Sequence, residues 1–133
     1  MIIGSTATGS AYIYFGGVSM DTTADVIMTG ESFFGNSVST AGDVNSDGYS
    51  DVIIGANGYS SSTGRAYIYF GGASMNNTAD VIMTGEATFN YFGNSVSSAG
   101  DVNGDGYSDV IVGAGLYSSL TGRAYIYFGG ASG

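Results

Sequence analysis

An internal repeat of more than fifty residues constrains the fold of this chain more than any other feature of the sequence. Residues 11–17 recur as residues 66–72 and again as residues 124–130. The copies are spaced first by 55 and then by 58 residues, because the second repeat carries a three-residue insertion. A repeat of this kind is typical of architectures that stack one supersecondary unit on copies of itself.

Each repeat predicts four short β-strands, here called A to D. In the middle copy they run over about residues 34–41, 50–56, 65–70 and 79–84. Val, Ile, Tyr, Phe and Thr are common in these segments, and such residues favour strands. The chain has 24 glycines among its 133 residues and no proline, so tight turns are expected between the strands.

Strands B and C are predicted to be apolar on both faces. Val52, Ile53 and Ile54 follow one another in strand B, and strand C alternates Tyr with Ala, Ile and Phe. A sheet with one wet face would alternate apolar and polar residues instead. These sheets must therefore be covered on both sides. Successive four-stranded sheets stacked face to face, as in a β-propeller, meet this demand better than a parallel β-solenoid with coils of about 20–30 residues.

We therefore predict an all-β fold of propeller blades, each with four antiparallel strands, and about two and a half blades in this chain. Residues 1–33 would form a partial blade with strands B, C and D, residues 34–91 a complete blade, and residues 92–133 a partial blade with strands A, B and C. The strand C tyrosines are expected in the core: Tyr12, Tyr14, Tyr67, Tyr69, Tyr125 and Tyr127.

Two partial blades leave sheet faces and edges that need partners. Repeat architectures generally bury a continuous core only when at least three units stack. We expect the ring to be completed by adjacent repeats of a longer chain or by self-association of several copies. Because open edge strands recruit other strands, a filament is a third possibility.

An acidic loop joins strands A and B in both copies that contain these two strands. Residues 43–51 read Asp-Val-Asn-Ser-Asp-Gly-Tyr-Ser-Asp, and residues 101–109 differ only in having Gly at the fourth position. Oxygen-bearing side chains at positions 1, 3, 5 and 9, with glycine at 6, suit Ca²⁺, which takes about 6–8 oxygen ligands. We predict two Ca²⁺ sites, in which each tyrosine contributes its backbone carbonyl: Asp43, Asn45, Asp47, Tyr49 and Asp51, and Asp101, Asn103, Asp105, Tyr107 and Asp109.

Two alternatives to a nine-residue Ca²⁺ loop exist for these segments. An EF-hand needs Glu at position 12 and flanking helices, whereas this chain has Ile54 or Val112 there and strands on both sides. The sequence therefore excludes an EF-hand. The other alternative is a turn rich in Asp, Asn and Gly that binds no metal, since these residues favour turns for conformational reasons.

Charge and composition exclude several functions. The formal net charge is -9, and Arg65 and Arg123 are the only cationic side chains, so phosphate backbones and anionic membranes are expected to repel the chain. His, Cys and Lys are absent, and the carboxylates of the two loops are assigned to cations, so we predict a protein that is not an enzyme. Four aromatics in loops at the end opposite the acidic loops could contact a partner or pack on their own blade: Tyr59, Tyr117, Phe89 and Tyr91.

The segments 34–56 and 92–115 resemble the FG-GAP repeat of the integrin alpha-subunit propeller and its bacterial relatives. Phe34 and Gly35 match the opening Phe-Gly pair, and Gly55 and Ala56 match the Gly-Ala that closes strand B. The proline that follows in that family is replaced by Asn57 and by Gly115. Without proline, the turn after strand B is less constrained, and the acidic loop is unchanged.

The resemblance implies a Ca²⁺-stabilised module with its metal loops on the face opposite the ligand-binding face. It also implies a role in extracellular adhesion or protein recognition, outside the cell or at its surface, with an extracellular protein or glycan as partner. The alternative function is a self-assembling structural building block that forms a ring or an extracellular filament.

Overall fold

The computed structural model describes residues 1–131, which form three antiparallel β-sheets. Sheet 1 contains β1 (Ile2–Ser5), β2 (Ser10–Ile13) and β3 (Val26–Thr29). Sheet 2 contains β4 (Phe34–Gly42), β5 (Asp51–Ala56), β6 (Arg65–Tyr69) and β7 (Val81–Thr84). Sheet 3 contains β8 (Phe92–Gly100), β9 (Asp109–Ala114) and β10 (Arg123–Tyr127). Consecutive strands are neighbours in every sheet, as in propeller blades, and the all-β prediction is confirmed.

The strands lie close to their predicted positions, with one informative difference. Strand D of the middle copy begins at Val81 instead of about residue 79. The cause is that the Phe70 N–H donates to the Asp80 carboxylate at 2.7 Å, so a side chain takes the place of a backbone carbonyl there. The Phe15 N–H donates to Asp25 over the same distance in sheet 1.

In sheets 2 and 3, a single tight turn occupies the loop between strands B and C: α1 (Tyr59–Ser62) and α2 (Tyr117–Leu120). Both turns contain left-handed backbone, with φ of 45° and 55° at Ser60 and Ser61. They are therefore not right-handed helices in the usual sense. No helix among residues 1–131 has the length and apolar character needed to cross a bilayer.

The sheets stack face to face, and both faces of sheet 2 are buried. One core lies between sheets 1 and 2, where Ile13 and Met28 pack with Phe34 and Ile54. A second core lies between sheets 2 and 3 and contains Ile53, Ala66, Ile68, Met83, Phe92, Val96, Val110 and Val112. Both faces of strand B are therefore apolar because a neighbouring sheet covers each of them, as predicted.

The strand C tyrosines differ in burial according to their sheet. Tyr67 and Tyr69 of sheet 2 are only 5% and 3% exposed, which agrees with the predicted core position. The four tyrosines of the outer sheets are half-buried: Tyr12, Tyr14, Tyr125 and Tyr127. They lie in or directly after strands of the three-stranded sheets, which have a neighbouring sheet on one side among the described residues.

Glycine pairs bring the backbones of neighbouring sheets into direct contact. Gly35 and Gly93, which follow the buried phenylalanines, have φ of 88° and 86°, a conformation that favours glycine. A Cβ atom added to Gly4 would lie 2.0 Å from the Gly35 carbonyl oxygen, and one added to Gly55 would lie 2.0 Å from the Gly93 oxygen. The repeat therefore needs one glycine for backbone conformation and one for close approach.

A clasp of charged and aromatic side chains joins the sheets at the end where strands D lead into strands A. The Tyr67 hydroxyl donates to Glu31, which follows β3, and Arg65 lies 3.6 Å from the same carboxylate. The Arg65 guanidinium also stacks on the Tyr59 ring at 3.7 Å. The clasp thus joins a residue of one repeat to three residues of the next.

The clasp recurs between sheets 2 and 3. Glu86 accepts hydrogen bonds from Arg123 at 3.0 Å and from the Tyr125 hydroxyl at 2.6 Å. Arg123 stacks on Tyr117 at 3.7 Å, as Arg65 does on Tyr59. Both arginines of the chain are therefore used to join successive sheets.

The glycine contact predicts different effects for two equivalent substitutions. Gly55→Ala should lower the free energy of unfolding by roughly 2–3 kcal/mol, because the new methyl group collides with the backbone of the next sheet. Gly113→Ala is the matched control, since its Cβ would meet the movable Ser95 side chain instead, and its effect should stay below about 1 kcal/mol. Urea unfolding followed by circular dichroism measures both. Equal losses would contradict the stacking described here.

Buried phenols predict a loss of stability at alkaline pH. Burial, with help from the hydrogen bond to Glu31, holds the pKa of Tyr67 well above its usual range, and burial raises the pKa of Tyr69 to about 12. The folded state favours the neutral phenols, so they contribute fully to stability below pH 10, the usual pKa of tyrosine, and this contribution is lost as the pH rises toward 12. Urea unfolding between pH 9 and pH 12 should show this fall, and Tyr67→Phe should make it shallower. An identical slope in the variant would refute the assignment.

Candidate metal sites in the loops between strands A and B

The two acidic loops lie beside each other at one end of the stacked sheets. One loop joins β4 to β5, and the other joins β8 to β9. The Ser108 N–H of the second loop donates to the Asp43 carbonyl oxygen of the first at 3.0 Å, and the Gly130 N–H donates to the Val44 oxygen at 2.9 Å. The first loop is therefore part of the contact between sheets 2 and 3.

The carboxylate at position 1 folds each loop. Asp43 accepts hydrogen bonds from the backbone N–H groups of Asp47 at 3.0 Å and Gly48 at 2.8 Å. Asp101 accepts the equivalent bonds from Asp105 and Gly106, at 3.1 Å and 2.9 Å. The glycine at position 6 has a φ of 92° in both loops, which explains why glycine stands there.

The side chains at positions 3 and 5 join the same cluster. Asn45 Nδ2 donates to an Asp47 carboxylate oxygen at 3.2 Å, and the other Asp47 oxygen accepts the Tyr49 N–H at 2.9 Å. In the second loop the Asn103 to Asp105 distance is 3.0 Å. The side chains at positions 1, 3 and 5 are thus gathered around one turn in both copies.

The carboxylate at position 9 is fully buried in both loops. Asp51 accepts one hydrogen bond from the Val44 N–H and one from the Gly71 N–H, each at 2.8 Å. Burial raises the pKa of Asp51; the two N–H donors oppose the rise, and the nearby Asp47 and Asp43 charges add to it. Asp51 therefore closes the loop and ties it to the end of strand C.

Asp109 repeats this arrangement with Val102 at 2.8 Å and Gly129 at 2.9 Å. The sequence predicts Asp51 and Asp109 as metal ligands but does not predict their hydrogen bonds to the glycine after strand C. The signal available in the sequence was the Gly-Gly pair after every strand C, at residues 16–17, 71–72 and 129–130.

The residues of each loop fit a Ca²⁺ ion by their chemistry. Within residues 1–131 no three acidic side chains converge closely enough to hold a metal ion between them, because the carboxylates face backbone N–H groups of their own loop. An ionised carboxylate has about four lone-pair positions, and the Asp43 and Asp51 carboxylates each accept two hydrogen bonds, so oxygen lone pairs remain available. The donor set of carboxylates, amide and carbonyl contains only hard oxygen atoms, which Ca²⁺ prefers.

The aromatic side chains in the loops at the other end of the sheets differ in exposure. Tyr59 and Tyr117 are half-buried and stack on the arginines of their own sheets. Tyr91 is also half-buried, whereas Phe89 is 64% exposed. Phe33, which was not predicted from the sequence as a contact residue, is 57% exposed.

Comparison with known proteins identifies the repeat. The model of the FG-GAP repeat matches residues 34–69 and 92–127, which contain strands A to C of sheets 2 and 3. The chain is 38% identical to integrin alpha-5 of Xenopus laevis over 110 residues, which are 77% of this chain and 10% of that protein. It is 34% identical to integrin alpha-8 of Homo sapiens over 135 residues, which are 90% of this chain and 13% of that protein.

This chain spans about a tenth of the length of the curated relatives it matches. The two family matches together cover 72 of its 133 residues. They begin at the Phe-Gly pairs whose glycines make the contacts between sheets, and they include both acidic loops. The chain therefore belongs to the FG-GAP repeat family.

Proposed function

We propose that this chain is a calcium-stabilised FG-GAP β-propeller module that takes part in extracellular adhesion or protein recognition. One observation carries the proposal: each segment matched to the family contains the same hydrogen-bonded cluster of oxygen-bearing side chains between strands A and B. The similar proteins named above are integrin alpha subunits, which supports a role in recognition.

In this proposal, each loop holds one Ca²⁺ ion through its side-chain oxygens and one backbone carbonyl. The ligands would be Asp43, Asn45, Asp47, Asp51 and the Tyr49 carbonyl, and Asp101, Asn103, Asp105, Asp109 and the Tyr107 carbonyl. A bound cation offsets the repulsion among carboxylates that lie in one short turn. Because backbone oxygens of the first loop accept hydrogen bonds from sheet 3, stiffening this loop would also stabilise the contact between sheets.

The proposed setting is the outside of the cell or its surface. Calcium sites of extracellular modules bind with dissociation constants on the order of 10⁻⁴–10⁻³ M, so they are filled outside cells and not in the cytosol. We propose a role without catalysis, because the sequence lacks the His, Cys and Lys side chains that most often act as bases or nucleophiles. The partner would be an extracellular protein or glycan.

A second candidate is a structural building block that assembles with copies of itself into a ring or an extracellular filament. It is favoured by the outer faces of sheets 1 and 3, which repeat residues that are buried in sheet 2. Ile126 is 51% exposed, whereas its equivalent Ile68 is 4% exposed. Ile3 is 44% exposed, whereas its equivalent Ile54 is fully buried.

The calcium proposal predicts a metal-dependent melting temperature. Adding about 5 mM Ca²⁺ should raise the melting temperature by several degrees over the same protein in chelator, since a ligand that binds the folded state stabilises it by RT ln(1 + [L]/Kd). Asp43→Asn combined with Asp101→Asn should abolish most of this rise. The measurement is thermal unfolding followed by circular dichroism.

Asp21→Asn is the matched control for the calcium experiment. Asp21 is an exposed acid outside the two loops and accepts one hydrogen bond, from the Thr23 N–H at 2.8 Å. This variant should keep the full response to Ca²⁺. A melting temperature that is the same in Ca²⁺ and in chelator would rule out the metal part of the proposal.

The mass in solution separates the recognition module from the filament form of the second candidate. With millimolar Ca²⁺, the module is expected to give one defined mass, either the 13.4 kDa chain or a small closed oligomer. Multi-angle light scattering at several protein concentrations measures this mass. A series of masses that grows with concentration would favour a self-assembling filament instead.

A further inference from the structure

The loop between strands C and D of sheet 2 contains a tripeptide that the proposed function does not use. Residues 76–78 read Asn-Asn-Thr, which is the Asn-x-Ser/Thr pattern of acceptor sites for N-linked sugars. Every other asparagine of the sequence lacks Ser or Thr two positions later. Because a pattern of three residues also arises by chance, its surroundings in the folded chain determine whether a sugar fits there.

Asn76 lies on the surface, in a turn that leaves its side-chain nitrogen unused. Asn76, Asn77 and Thr78 are all exposed, and they lie between the end of β6 at Tyr69 and the start of β7 at Val81. The Thr78 N–H donates to Asn76 Oδ1 at 2.8 Å, so the oxygen of the amide holds the turn. The nitrogen Nδ2, to which a sugar is joined, takes no part in this bond.

The residues on either side of Asn76 hold the loop against sheet 1. Met75 packs beside the core between sheets 1 and 2. Asn77 Nδ2 donates to the Ile27 carbonyl oxygen of β3 at 3.4 Å. The amide nitrogen of Asn77 thus joins two sheets, whereas a sugar on Asn76 leaves both of these contacts intact.

The position of the loop keeps a sugar away from the exposed aromatic side chains. Strand C of sheet 2 ends beside the first acidic loop, because the Gly71 N–H donates to the Asp51 carboxylate at 2.8 Å. The loop that follows strand C therefore lies at the end of the sheets that holds the acidic loops. Phe33 and Phe89 are exposed at the opposite end. A glycan on Asn76 leaves them accessible to a partner.

We propose that Asn76 is the attachment site of an N-linked glycan. The sugar donor is an oligosaccharide carried on a lipid pyrophosphate. Asn76 Nδ2 forms a bond to C1 of the first sugar, the bond between C1 and the pyrophosphate oxygen breaks, and the lipid pyrophosphate leaves. The amide nitrogen gives one proton to a base of the transferase, and no group is oxidised or reduced. The inference rests on the extracellular setting proposed above, because such acceptor sites belong to secreted proteins.

Sheet 1 contains the same turn with an acid in place of the acceptor amide. The Thr23 N–H donates to Asp21 Oδ1 at 2.8 Å, as the Thr78 N–H donates to Asn76 Oδ1. Residues 21–23 read Asp-Thr-Thr, so the single change Asp21→Asn completes a second acceptor pattern in the same turn. The chain therefore offers a matched pair of positions, one with a carboxylate and one with an amide.

The test is expression of the 133-residue chain behind a cleavable secretion signal in cultured eukaryotic cells. Cell-associated and secreted protein should both carry one glycan, seen as a single step in gel mobility after treatment with peptide N-glycosidase. The enzyme converts the occupied asparagine into aspartate, and peptide mass spectrometry should locate this change at Asn76. Asn76→Asp and Thr78→Val should each abolish the step. Asn77→Gln is the matched control, because it retains the acceptor pattern and should keep the step.

The variant Asp21→Asn shows whether the transferase reaches the chain. It should carry two glycans, and in combination with Asn76→Asp it should carry one, at residue 21. A native chain without a glycan would overturn the proposal, whether or not Asp21→Asn carries one. A mobility step that persists in Asn76→Asp or in Thr78→Val would overturn it as well, since the sugar would then be attached elsewhere or by another reaction.

The melting temperature tests the surface position of Asn76. The glycosylated chain and the chain treated with glycosidase should unfold at the same temperature, because Asn76 Nδ2 takes no part in the turn. A marked fall caused by the glycan would contradict this position and overturn the proposal. The calcium response is measured on unglycosylated protein, so failure of the calcium sites and failure of the glycan site are separate results.

Discussion

The structure depends on backbone contact between stacked sheets at pairs of glycines. The contact between Gly55 and Gly93 leaves no room for a side chain on Gly55, and the contact between Gly4 and Gly35 repeats it one sheet earlier. Because the backbones of neighbouring sheets touch, the apolar residues on both faces of sheet 2 are covered by its neighbours. Burial of that apolar area stabilises the stack. The glycines of the Phe-Gly and Gly-Ala pairs thus both allow the backbones of neighbouring sheets to touch.

The stacking places different chemistry at the two ends of the sheets. At one end, the acidic loops meet, and backbone N–H groups of Ser108 and Gly130 bind carbonyl oxygens of the first loop. At the other end, each arginine joins a glutamate of the preceding repeat to aromatic rings of its own repeat. The negative charge of the loops is therefore kept apart from the arginines, as the proposed cation sites require.

Much of the fold could be predicted from the sequence, because repeat length, strand composition and apolar faces are local properties. The site was predicted less completely. Asp51 was recognised as an oxygen donor, but its bond to Gly71 joins residues 20 positions apart and requires knowledge of where strand C ends. The bond between Glu31 and Tyr67 joins residues of different sheets 36 positions apart, and no spacing rule for strands or loops predicts it.

The contact between glycine backbones can be tested most directly by NMR. The Gly4 Cα atom lies 3.4 Å from the position that a Cβ of Gly35 would take, and the Gly93 oxygen lies 2.0 Å from the Cβ position of Gly55. A nuclear Overhauser spectrum of the folded chain should therefore show cross-peaks between the α protons of Gly4 and Gly35 and between those of Gly55 and Gly93. A spectrum with cross-peaks within each sheet but none between these glycines would contradict face-to-face stacking.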